Sequence, residues 1–169
     1  DDYDSIPKGA TRATREQQLD GRWEVCQGYR LSDATFVEHA ACTLWWDKEK
    51  TKKAGDGMML HGKPHGVWKE FYPSGSLQVE TTLVHGHKQG PQREFFENGG
   101  KKTEKIWNNG DLHGPYSEWN SEGAELRHGE YRNGEPVGAW RIGFPKAFGS
   151  GLRYVEVDAG TPTVGTCAE

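Results

Sequence analysis

The chain has 169 residues, about one domain's worth, with 21 Lys+Arg against 25 Asp+Glu and a formal net charge of −4. That balance offers no basic field for nucleic acid, and no run of ~20 apolar residues is present to span a membrane. Only 33% of the residues are hydrophobic, too few for a thick two-layer core, yet 7 Trp, 6 Tyr and 6 Phe are more aromatics than disordered chains carry.

In chain order, residues 1–20 are polar and read as an extended arm. "GRWEVC" (21–26) reads as an edge strand, and "ATFVEHAACTLWW" (34–46) as a strand or short helix. From residue 62 a period takes over. Gly62, Gly86, Gly110 and Gly134 are 24 residues apart, as are Gly66, Gly90, Gly114 and Gly138. A third column runs Gly75, Gly99 and Gly123, with Gly149 arriving two residues late. Three glycine columns in register make this a repeat protein.

Between the glycines, "VWKEFY", "REFF", "YSEW" and "LQVETTLV" favour strands. "SG", "NG" and "EG" at 74–75, 98–99 and 122–123 read as two-residue hairpin turns needing positive φ. Each unit is then two antiparallel strands and two turns. The fold class is all-β: an antiparallel meander in a single-layer or gently rolled sheet, with irregular caps. The turn at 74–75 places Lys69 opposite Glu80; the same rule pairs Arg93 with Glu104 and Glu118 with Arg127. Residues 1–46 form the arm and cap, and 47–149 the repeat sheet, with clear units at 62–85, 86–109, 110–133 and 134–149. Residues 150–169 supply a last strand ("LRYVEV") and a tail.

The stretches "HGKPHGVWKEFYPSGSLQVETTLVHG", "HGHKQGPQREFFENGGKKTEKIWNNG" and "NGDLHGPYSEWNSEGAELRHGEYRNG" resemble MORN (membrane occupation and recognition nexus) repeats, in the longer bacterial form NGxxxGxWxxYxxNGxxxxExxYxNG. The resemblance covers roughly residues 60–145, with 38–61 as a degenerate first unit. It implies a meander with a scaffolding or binding role and brings no catalytic residues. Some bacterial proteins of this type are labelled antitoxins; others are exported or lie at the cell surface.

His61, His65, His85, His87 and His113 all fall in the inter-unit turns. The slot before the first glycine holds His61, His85, Asn109 and Asn133, residue types that tolerate positive φ. Equivalent positions lie two strands apart, roughly 9.6 Å at ~4.8 Å per strand, too wide for one ion to bridge. Backbone conformation is therefore the favoured account, and neither a metal nor a cofactor is expected. Glu70, Glu94 and Glu118 recur with the same period and read as a solvated stripe. No G-x-S-x-G or H-E-x-x-H motif is present, so no catalytic residue is assigned and the protein reads as a non-enzyme.

The aromatic columns are the candidate binding residues. Phe71, Phe95 and Trp119 share a face with Lys69 and Arg93; Trp68, Tyr116 and Trp140 share the other, with Gln92 interrupting. One face fills a thin core and the second is left as an aromatic–charged ladder suited to protein contact. Of Cys26, Cys42 and Cys167, the first two pair if the protein is exported, closing a loop worth on the order of 3 kcal/mol; a bond from Cys167 to either is the alternative. The resulting expectation is an exported structural or protein-binding module (extracellular, surface or periplasmic; alternatively cytoplasmic) whose partner is protein, copies of itself foremost. An antitoxin or immunity role is the first alternative. Carbohydrate or lipid head-group binding through the aromatic ladders is the second.

Overall fold

The computed structural model describes residues 5–145 and 151–159. Twelve strands follow one another in one antiparallel sheet: β1 (Thr11–Leu19), β2 (Arg22–Arg30), β3 (Phe36–Trp45), β4 (Lys53–Leu60), β5 (Lys63–Phe71), β6 (Leu77–Val84), β7 (His87–Phe95), β8 (Lys101–Asn108), β9 (Asp111–Trp119), β10 (Glu125–Arg132), β11 (Glu135–Pro145) and β12 (Leu152–Asp158). Sequence neighbours are sheet neighbours throughout, and β12 does not return to β1. The sheet is an open meander, as the period predicts, with no helix among the described residues.

Two kinds of reversal alternate. Between units, two-residue turns place both central residues at positive φ: 47° and 79° at His61–Gly62, 49° and 87° at His85–Gly86, 50° and 94° at Asn109–Gly110, 51° and 83° at Asn133–Gly134. These are type I′ turns, whose twist matches the strands they join. Asp20–Gly21 makes a fifth between β1 and β2. Within units the expected two-residue turns are three-residue loops instead. The Tyr72 amide donates to Ser76 O, the Gly75 amide donates to Tyr72 O, and Gly75 takes φ 91°. The extra loop residue slips the pairing by one, giving Phe71↔Leu77, and a bulge at Gln78 restores it at Glu70↔Val79. The two offsets cancel, so Lys69↔Glu80, Arg93↔Glu104 and Glu118↔Arg127 form as expected. Gly149 lies outside the described residues.

The second glycine column has a separate task. Gly66, Gly90, Gly114 and Gly138, at φ 81°, 89°, 110° and 64°, sit where β5, β7, β9 and β11 each carry two more residues than the preceding strand. Such bulges bend a strand and increase its twist.

The N-terminal region departs from expectation. The polar stretch read as an arm contains β1, paired with β2 through nine residues, so β1 and not 21–26 is the edge. Residues 34–46 supply a strand, β3. Cys26 and Cys42 face each other across β2 and β3 with Cα atoms 4.1 Å apart and are disulfide-bonded. Cys167 lies outside the described residues.

Burial concentrates in one row across the inner face. Alternating side chains and the cross-strand pairs order it as Arg15, Cys26, Cys42, Gly57, Trp68, Thr81, Gln92, Lys105, Tyr116, Gly129 and Trp140. Cys26, Cys42, Thr81, Gln92 and Trp140 are buried, as is Thr103 beside the row. With no second layer, each ring must lie down on its neighbour, and size alternates accordingly. Trp68 covers Gly57 and Trp140 covers Gly129, whereas the equivalent pairs are Gln92 with Thr81 and Tyr116 with Lys105. A Cβ on Gly129 would run into the Trp140 ring. Gly129→Ala should therefore cost about 1–3 kcal/mol through overpacking, read as a lower urea midpoint with an unchanged slope.

Candidate binding faces and the turn seam

The outer face carries a charge ladder. Lys69, Glu80, Arg93 and Glu104 stand opposite one another on consecutive strands, with Lys69–Glu80 at 3.7 Å, Arg93–Glu80 at 3.1 Å and Arg93–Glu104 at 3.0 Å. Glu104 also receives Lys101 at 3.0 Å, and that bond, with Arg93, holds its carboxyl below the usual range. Arg127–Glu118, the third expected pair, is looser at 3.9 Å and belongs to the inner face. Phe71, Phe95 and Trp119 flank the ladder at the strand ends, half-buried. Lys53 Nζ stands 6.0 Å above Phe71 and Lys101 Nζ 5.5 Å above Trp119. Beyond the ladder, Pro91, Ile106 and Pro115 line a shallow hollow of about 140 Å³ with Arg93, Glu104 and Ser117. No enclosed pocket is formed there.

The inner aromatics are joined by two residues the sequence reading passed over. Trp107 and Tyr131 occupy the column one strand further on. Trp107 Nε1 donates to Gln92 Oε1 at 2.7 Å, and Lys88 Nζ lies 4.5 Å above the Trp107 ring. Gln92, the apparent interruption, is the acceptor that lets this indole replace a missing ring. Tyr131 packs against Tyr116 (5.6 Å) and Trp140 (5.1 Å), and Tyr116 lies 5.8 Å from Trp140. The signal was present in the final aromatic of ExxYxNG. The carboxylate stripe shares this face: Glu94 takes Lys105 at 2.8 Å, and Glu118 accepts from the Tyr116 hydroxyl at 3.2 Å.

The two buried-face tryptophans differ in one atom's fate. Trp68 Nε1 donates to Met58 O at 2.9 Å, whereas Trp140 Nε1 is buried without a hydrogen-bond partner among the described residues.

The histidines form a seam along the inter-unit turns. Each turn glycine donates its amide to a backbone carbonyl at the head of the preceding hairpin: Gly62 to Glu38, Gly86 to Pro64, Gly110 to Lys88 and Gly134 to Leu112. The residue before that glycine donates to a side chain. His61 uses His39 Nδ1 (3.2 Å), His85 uses His65 Nδ1 (3.3 Å), Asn109 uses Gln89 Oε1 (2.7 Å) and Asn133 uses His113 Nδ1 (3.4 Å). The bulge at Ala40 (φ 94°), Gly66, Gly90 or Gly114 interrupts the ladder here, and the side chain before it supplies the acceptor the backbone lacks. Sequence reading explained the His/Asn slot by its positive φ but assigned no role to His65, Gln89 or His113. Glu24, Cys26 and Cys42 are the only described His/Cys/Asp/Glu group of three close enough for one ion, and its two sulfurs are joined to each other.

No protein-family model and no curated protein sequence matches the chain.

Two measurements follow from this geometry. Burial, with Glu118 beside it, pushes the Tyr116 phenol up to about 12. The fold thus keeps a proton that the unfolded chain loses near 10, so the stability Tyr116 contributes is present below pH ~10 and is lost as pH rises towards 12. An ultraviolet titration should show a late tyrosine transition that is absent in Tyr116→Phe. Denaturation of Trp68→Phe and Trp140→Phe should separate the indoles: the first loses a hydrogen bond and should be the less stable by about 1 kcal/mol.

Proposed function

We propose that this chain is a non-enzymatic MORN-type repeat scaffold that binds protein, copies of itself foremost, in an oxidising compartment. The carrying observation is its single-layer construction. Among the described residues, β1 and β12 are each paired on one side only, which leaves two strand edges open to addition. The edges are unequal. β1 is polar and charged, with Arg15 held by Glu38 and Glu24, and Glu16 by Lys50. The β11–β12 end exposes Phe144, Tyr154 and Val155, three of the described chain's six exposed large hydrophobic residues.

The Cys26–Cys42 bond supports export, since such bonds persist in oxidising compartments. Among the described residues no helix is long and apolar enough to cross a membrane. Protein contact is favoured over sugar stacking because the inner rings lie on glycines and on one another, with Trp140 only 7% exposed.

Light scattering on the native protein, with and without reductant, tests the reading. Species at multiples of 18.9 kDa are expected, and Glu156→Pro should reduce them by removing an outward-facing donor of β12, whose alternation is set by the Ala159 amide donating to Gly138 O. A monomer in both conditions would overturn self-association and move the antitoxin reading forward.

A further inference from the structure

We propose that the imidazole seams along the inter-unit turns are acid-labile latches, and that the one seam built from Gln89 is pH-inert. All four seams do the same job with different chemistry. At three of them an imidazole Nδ1 accepts the amide of the next turn; at the fourth a carboxamide oxygen does. To accept there, the ring must be neutral with its proton on Nε2. Once protonated, Nδ1 becomes a donor pointed at a donor, and the turn amide loses its acceptor. Gln89 has no such second state.

The surroundings grade the response. His39 is buried on β3; facing it are the His61 ring, 4.5 Å away at the β4–β5 turn, and Tyr29 from β2, whose hydroxyl lies 3.0 Å from His61 Nδ1. Arg12 of β1 and Gln27 of β2 line the hollow His39 borders, and Glu38 beside it is held by Arg15. His65 on β5 faces Met58 across β4 and the His85 ring at 4.9 Å, with Lys63 at the head of its own strand. Acid therefore removes the acceptor at both seams and also sets two cations within ring contact, where like charges repel. His113 on β9 faces Asn133, with Asp111 at the head of its strand; Asn133 Oδ1, 3.3 Å from Nδ1, is a replacement acceptor for the protonated ring. The latches should thus open first at His39/His61 and His65/His85, less at His113/Asn133, and not at Gln89/Asn109. The half of the turn edge from β3 to β7 loosens in acid while the β7–β9 corner holds.

Residue-resolved amide exchange on the intact chain, corrected for intrinsic rates, tests this between about pH 7.5 and about pH 5, across the range in which imidazole titrates. Protection of the His61 and His85 amides should fall about fivefold or more relative to Asn109, the factor an ordinary hydrogen bond is worth. His65→Gln copies the inert seam, so it should make His85 follow Asn109 while the loss at His61 remains. His85→Asn removes only the second cation and should leave an intermediate loss. Parallel behaviour of His85 and Asn109 in the unmodified protein would overturn the proposal, as would an acid loss at position 85 that persists in His65→Gln.

Discussion

The structure depends on a backbone requirement. Every unit must adopt left-handed conformations at an inter-unit turn, a bulge and an intra-unit loop, at fixed intervals along the chain. Eleven glycines in three columns meet it, and the turn position before the first column is filled by His or Asn, all at positive φ. Residues with a Cβ resist that region, so the columns act as fixed points. Once they are set, strand length, pairing partner and side-chain face follow, because a one-residue slip in a strand would turn every side chain to the other face. The cancelling offsets at the intra-unit loop illustrate this. An extra loop residue is tolerated because Gln78 bulges, and Lys69 still meets Glu80.

Register matters more here than in a layered fold because there is no core to correct it. The buried apolar set among the described residues is six side chains: Cys26, Tyr29, Cys42, Ala54, Leu60 and Trp140. Cohesion comes instead from rows in which each side chain leans on the next strand's neighbour, so energy is shared between adjacent units as in other linear arrays. That explains the exchange of sizes along the inner row: Trp over Gly, then Gln with Thr, then Tyr with Lys. Where Gln92 is too small to cover its neighbours, Trp107 enters from β8 and is bonded to it. The outer ladder adds little stability per pair, being partly exposed, but opposed signs on consecutive strands penalise every alternative pairing.

This division explains what could be read beforehand. Glycine periodicity reports a backbone constraint, which local sequence encodes directly; hence the meander, the positive-φ slot and the three charge pairs were legible from spacing alone. The β1 strand was not. Its composition, TRATREQQL, is that of a protected edge, and edges are polar for the same reason that arms are. The seam residues were hidden for another reason. His65, Gln89 and His113 share no chemistry except an acceptor atom, and the need for one arises only when a bulge removes the backbone acceptor. Trp107 and Tyr131 stood in a repeated aromatic column, but which ring covers which glycine depends on strand-to-strand contacts that no single unit contains.

An array held by nearest-neighbour contacts has no internal reason to stop, so its ends are where the sequence leaves the pattern. At the first hairpins the glycine period fails, and a disulfide joins β2 to β3 at the row positions that smaller side chains and rings hold elsewhere. Arg15 closes that row with carboxylates from β2 and β3, and Phe36 lies 4.9 Å beneath its guanidinium. A covalent bond and a charged terminus thus replace the missing neighbour on one side. At the other end, among the described residues, Arg141 stacks 4.0 Å over Tyr154 and meets Glu125 at 3.5 Å, and β12 exposes Tyr154 and Val155. Among the described residues the two ends therefore differ physically: one is finished by its own side chains, and the other presents the kind of surface that every interior strand covers with its successor.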